Sequence, residues 1–189
     1  MKPITFSIKL LILLICMFSM IAMDVKGQSF KADDGYVEFV STAPLLEFKG
    51  VSDHLTGLID LETMMVDFYV DLNTLETGIR RRDRDMRNSY LETDKFPFAE
   101  FSGELMSEFD PTLTGAQEVR AAGTFKIHGV EREIDVVGTL TSNGDSLQLD
   151  ASWVVLLEDY NIDRPRVLFY ELAEEQTINI SIQLVKTDN

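Results

Sequence analysis

Five arginines fall within eight residues, Arg80, Arg81, Arg82, Arg84 and Arg87, in a chain that carries 32 acidic side chains against 17 basic ones. A guanidinium fork fits phosphate or carboxylate, so one chemistry open to Arg80, Arg81, Arg84 and Arg87 is contact with an anionic headgroup. The other is a solvated helix face held by Asp83 and Asp85, since runs of charge commonly do no more than stay wet. Either reading leaves room for Arg82 or Asp83 in a structural ion pair.

The rest of the reactive inventory is thin. His54 and His128 are the two histidines and Cys16 the one cysteine, too few for a thiolate and imidazole zinc site. The carboxylates are scattered and form no Asp-x-Asp-x-Asp-Gly calcium loop. There is no Gly-x-Ser-x-Gly elbow, no glycine-rich phosphate loop and no His-Glu-x-x-His. No catalytic residue, metal or cofactor is therefore assigned. His128, in Ile127-His128-Gly129-Val130, reads as a hairpin residue whose imidazole bonds a nearby backbone group, and His54 is read in the same way. A net charge of −15 argues against nucleic acid as a partner, because phosphate backbones select basic surfaces.

What must position these residues is a set of strands. Period-two alternation, the mark of a strand with one dry face, is clearest in Thr177 to Leu184, where Ile178, Ile180, Ile182 and Leu184 alternate with polar residues. It recurs at Val66 to Leu72, Phe101 to Leu105, Phe125 to Ile127, Ile134 to Leu140 and Leu147 to Leu157, with shorter candidates at Val37 to Ser41, Leu46 to Val51 and Leu55 to Leu61. Eight or nine strands joined by turn residues such as His128-Gly129 and Asn143-Gly144-Asp145 predict an all-β antiparallel meander. Closing it into an eight-stranded barrel removes the sheet edges, and a two-sheet sandwich is the competing architecture. Two stretches break the alternation. Residues 74–91 have helical spacing, with Arg80 and Arg84, then Asp83 and Arg87, four apart; Glu158 to Glu175 is a long connection containing Pro165.

Residues 1–27 read as a signal peptide: Lys2 and Lys9 precede an apolar run from Leu10 to Met23, too short to span a bilayer, with cleavage expected after Gly27. Three lysines and one aspartate would leave with it, taking the charge from −15 to −17. Cys16 would leave too, so residues 28–189 would be a disulfide-free domain, periplasmic or secreted, with no stable membrane anchor.

Taken together, TGIRRRDRDMRNSYLETDKFPFAEF (Thr77 to Phe101), GTFKIHGVEREIDV (Gly123 to Val136) and LEDYNIDRP (Leu157 to Pro165) resemble the YceI-like family. Thr77-Gly78, Arg82-Asp83, Phe96-Pro97 and Phe101 occur in the family's order. The resemblance implies a lipocalin-like antiparallel barrel that carries a polyisoprenoid, a quinone side chain or a fatty-acid derivative. The inward phase supplies a candidate apolar wall of Phe39, Phe48, Phe68, Val70, Phe101, Leu105, Phe125, Ile127, Val136, Leu149, Trp153, Ile180 and Ile182. The same residues could instead be ordinary core, since an eight-stranded barrel can be filled by its own side chains. Three functions follow from these alternatives: a carrier of an apolar molecule, a ligand-free interaction or stress-response barrel, and an enzyme acting in the same cavity.

Overall fold

The computed structural model of the chain describes residues 28–43, 46–164, 166–167, 170–171 and 173–187, so the expected signal peptide lies outside the described residues. Eight strands form a closed antiparallel barrel: β1 (Ser29–Ala43), β2 (Leu46–Asp60), β3 (Met65–Asp71), β4 (Phe98–Leu105), β5 (Ala116–Ile127), β6 (Val130–Ser142), β7 (Ser146–Leu156) and β10 (Glu175–Lys186). Their order around the barrel is β1-β10-β7-β6-β5-β4-β3-β2. A two-stranded ribbon of β8 (Arg166–Val167) and β9 (Tyr170–Glu171) sits in the long connection between β7 and β10. The barrel, not the sandwich, is thus the architecture.

β1 and β2 are each longer than their short alternating stretches predict, and the reason is a change of phase. Phe30 and Ala32 pack inward at even positions, whereas after a bulge around Asp33 and Asp34 the inward residues are Gly35, Val37, Phe39 and Ser41. β2 makes the matching switch, from Phe48, Gly50 and Ser52 to Leu55, Gly57 and Ile59. One extra residue in a ladder flips every later side chain to the other face and bends the strand, which helps these long strands curl around the barrel. Gly50 and Gly57 are needed for packing: each stands opposite an aromatic, Phe39 or Phe68, whose ring occupies the place of a Cβ.

The two ends differ. Phe30, Leu147 and Leu184 gather where β1 begins and β10 ends, with Leu147 and Leu184 fully buried and paired across the β7–β10 ladder. The backbone N–H of Thr187 donates to the carbonyl of Ser29 at 2.8 Å, tying the last described strand to the first. At the opposite end the connection from β3 to β4 runs through a 3-10 turn (Leu72–Thr74), the short helix α1 (Arg80–Asp85) and one π-helical turn (Met86–Tyr90), as the helical spacing of 74–91 predicts. It is fastened to β2 by reciprocal backbone hydrogen bonds between Val51 and Glu76, both 2.9 Å. His128 and Gly129, with φ of 54° and 74°, form the two-residue turn from β5 to β6 at this end, the left-handed pair a tight hairpin requires.

Candidate functional site

The barrel is not filled. A cavity of about 680 Å³ runs from the end covered by α1 toward the closed end. Phe39, Phe48, Phe68, Val70, Phe101, Leu105, Phe125, Ile127, Val136, Leu149, Trp153 and Ile180 all border it. Ile182 does not. It is buried between Gly35 and Gly57, against whose backbones its side chain packs, behind the cavity wall.

The room comes from residues that hydrophobic patterning passes over. Ala121, Gly138 and Ala151 also border the cavity, and Gly138 faces Ala151 across the β6–β7 ladder. Small inward side chains there leave space that Phe, Leu or Ile would take up. Signal for them exists in the phase alone, since Ala121 and Ala151 fall in step with Phe125 and Trp153. Leu72, at the end of the alternation that begins at Val66, also borders the cavity, and Leu75, Met86, Tyr90 and Leu91, from the connection between β3 and β4, add wall that no strand pattern could supply. Val66, Ile59, Leu105, Val119 and Leu140 line the deep end, near the buried Leu147 and Leu184. Trp153 and Tyr160 pack edge-on against Phe125, with centroids 5.8 and 5.6 Å away. The indole Nε1 of Trp153 is buried with no hydrogen-bond partner among the described residues.

Charge is confined to the rim, and the arginines divide there. Arg81 and Arg82 border the cavity together with Asp85 and with Glu100, the third residue of β4. Arg81 lies 3.7 Å from Asp85, and Arg84 approaches the same carboxylate at 3.5 Å, all three well exposed. Arg80 is exposed and outside the cavity lining. Arg87 is turned to the scaffold, donating from Nη2 to the carbonyl of Leu75 at 2.7 Å. Arg82 and Asp83 do not form an ion pair with each other; both hold Thr77. Arg82 donates to Thr77 Oγ1 (2.8 Å) and to its carbonyl (2.6 Å), while Asp83 accepts from the Thr77 backbone N–H (2.7 Å) and hydroxyl. The Arg82 guanidinium also sits 4.7 Å above the Phe48 ring, a cation–π contact that joins α1 to the wall of β2.

His128 does bond backbone: Nδ1 lies 3.1 Å from the Tyr160 carbonyl, Nε2 3.2 Å from Glu92, and the ring packs edge-on against Phe96 at 4.9 Å. The imidazole therefore ties the β5–β6 turn to both long connections. Hydrogen bonds from Lys95 and then His128 hold the Glu92 carboxyl below its ordinary range. His54 is exposed where β2 changes phase, and its backbone N–H donates to Ser52 Oγ at 3.2 Å. Beside the rim, Glu158 is pushed above the ordinary carboxylate range by the adjoining Glu174 carboxyl, with which it shares a hydrogen bond. No group of three or more His, Cys, Asp or Glu side chains suited to a metal ion occurs among the described residues.

The closed eight-stranded antiparallel barrel, whose rim is held by Thr77, Arg82 and Asp83, is the lipocalin-like fold that the resemblance of residues 77–165 implies. The family model for the YceI-like domain matches residues 22–184. The chain belongs to the YceI-like family. Among solved structures, this YceI-like chain is similar to a polyisoprenoid binding domain from Saccharophagus degradans, at 18% identity and TM-score 0.72, covering 86% of this chain and 100% of that one. It is also similar to BcnA of Burkholderia cenocepacia, at 16% identity and TM-score 0.66 over 81% and 96% of the two chains. The Campylobacter jejuni YCEI protein aligns at 12% identity and TM-score 0.62 over 78% and 90%. No curated sequence matches this chain. At these identities the structural likeness speaks to the fold.

Proposed function

We propose that this protein is a carrier that holds one long apolar molecule, a polyisoprenoid, quinone side chain or fatty-acid derivative, inside its barrel. The observation that carries this is the cavity of about 680 Å³ with an almost wholly apolar wall. Burying a hydrocarbon tail yields roughly 0.8 kcal/mol per methylene. Ten buried carbons thus supply about 8 kcal/mol before ordering costs, the scale of a micromolar complex. The polyisoprenoid-binding domain among its structural neighbours supports the same reading. An open cavity favours the carrier over a solid, ligand-free barrel, and the wall offers no catalytic set for an enzyme. The basic start and short apolar run of residues 1–27 support a periplasmic or secreted site of action after removal of a signal peptide.

Within this reading Arg81 is the one proposed headgroup contact at the rim that also borders the cavity, the tail lying beneath it. Native mass spectrometry of gently purified protein tests the proposal. The expected spectrum shows one bound hydrophobic molecule per chain, and Ala151→Phe, which fills the space by enlarging one small wall side chain and leaves the large ones in place, should lose it. A clean apo mass together with no uptake of prenyl or acyl probes would overturn it.

A further inference from the structure

We infer that the closed end of the barrel acts as a ruler that limits the buried tail to roughly 25 to 30 carbons, about five isoprene units, with Leu140 setting the floor. The inference rests on the carrier reading and adds to it a length and a residue.

Volume gives the length. A dry apolar cavity of about 150 Å³ accommodates one benzene, six carbons, so hydrocarbon in a protein pocket occupies on the order of 25 Å³ per carbon. At that density the 680 Å³ here take on the order of 27 carbons. Construction gives the direction. Leu140 borders the deep end with none of its surface exposed, two positions before β6 ends at Ser142. Beyond it Leu147 and Leu184 are also fully buried and do not line the cavity. The charged residues Arg81, Arg82, Asp85 and Glu100 stand toward the other end. A tail therefore goes in from the α1 end and stops against Leu140, and any further units remain outside, where they gain no contact with the wall.

The test is a titration of prenols of three, four, five, six and eight isoprene units, read by fluorescence of Trp153, the only tryptophan in the chain and part of the cavity wall. Each length is compared between wild type and variant, so the solubility of the prenol cancels. Leu140→Phe should leave three-unit prenols within about twofold and weaken five-unit prenols by tenfold or more. Leu140→Ala should do the reverse, strengthening six-unit prenols while leaving shorter ones unchanged. Wild-type affinity should rise through five units and gain nothing further at eight. A variant-to-wild-type ratio independent of length, or affinity still rising from five to eight units, would overturn the ruler while leaving the carrier reading intact. Failure of every prenol and of fatty acids matched in carbon number to bind wild type would remove both. If Leu140→Phe loses the cooperative unfolding of wild type, the length series on wild type and Leu140→Ala decides.

Discussion

At one end of this barrel Leu147, Leu184 and Phe30 meet with essentially no exposed surface, while at the other Ile79 stands about half exposed beside Arg81 and Asp85 on a helix of six residues. The closed end is held by apolar burial, which is strong but carries no directional information. The open end is held by hydrogen bonds between side chains and backbone, at Thr77, Leu75 and Tyr160. Such bonds contribute less each, yet they fix where a rim residue points. A container needs both: a base that does not yield, and a rim whose contacts can part and reform singly.

The largest effect is expected at the base of the barrel. Leu184→Ala should destabilise the protein by about 2–5 kcal/mol, as buried leucines do when truncated, whereas Ile79→Ala at the rim should change stability by about 0.5 kcal/mol or less. Urea unfolding monitored by circular dichroism checks both, and similar losses at the two sites would erase the distinction. Next in size is Thr77→Ala, which removes a hydroxyl used by both Arg82 and Asp83. We expect a loss of about 1–2 kcal/mol, accompanied by faster hydrogen exchange across residues 77–91 and little change in β7 or β10.

Two carboxylates sharpen the contrast through pH. Glu38, on the seam of β1 with β2 and β10, is held below its ordinary range by hydrogen bonds from Tyr36, Asn179 and Lys49. A depressed carboxyl contributes stability above the ordinary glutamate range and loses it as the solution is acidified. Glu158 has the opposite sign: the native state binds its proton more tightly than the unfolded chain, so its contribution is present in acid and fades as pH rises through the raised value. Glu38→Gln should accordingly lower the midpoint of thermal unfolding at neutral pH and converge with wild type in acid. Glu158→Gln should raise it slightly at neutral pH, by relieving the repulsion with Glu174, and converge in acid as well. The smallest effect is expected for Arg81→Glu. Its ion pair with Asp85 is exposed, and such pairs contribute about 0–1 kcal/mol, so stability should hardly move while preference between anionic and neutral headgroups shifts. Unchanged preference would remove Arg81 from the site.

How much of this the sequence discloses depends on what each position has to do. The strands of β3, β4, β6, β7 and β10 are legible because most of their inward residues are large and keep one phase, as in Leu147, Leu149, Trp153 and Val155, with Ala151 a small member in step. β1 and β2 fragment in the reading because phase reverses at Asp33-Asp34 and near His54, and a period-two pattern cannot see across its own reversal. The first half of β5 escapes for another reason: in Ala116 to Gly123 the inward residues after Val119 are Ala121 and Gly123, which look like loop, yet Ala121 leaves room in the cavity and Gly123 lets the strand close against the β4 backbone at Gly103. In the candidate site, twelve inward residues border the cavity because phase determines facing. Ile182 shows the limit, since facing inward does not reveal whether a void or Gly35 and Gly57 lies ahead. The arginine run likewise carries no mark in its composition that separates Arg81 at the rim from Arg87 on the Leu75 carbonyl.

The hydrogen bond from Thr187 to Ser29 brings the two ends of the described chain side by side under the closed base. Anything joined directly at residue 28 or residue 187, such as an affinity tag, a tether to a surface or a fused reporter, would therefore leave from the blind side, away from the opening. The same proximity makes the protein a candidate for circular permutation: a short linker could join residue 187 to residue 28, and new termini could be cut in the exposed turn at Asn143-Gly144-Asp145, without a single wall residue being displaced.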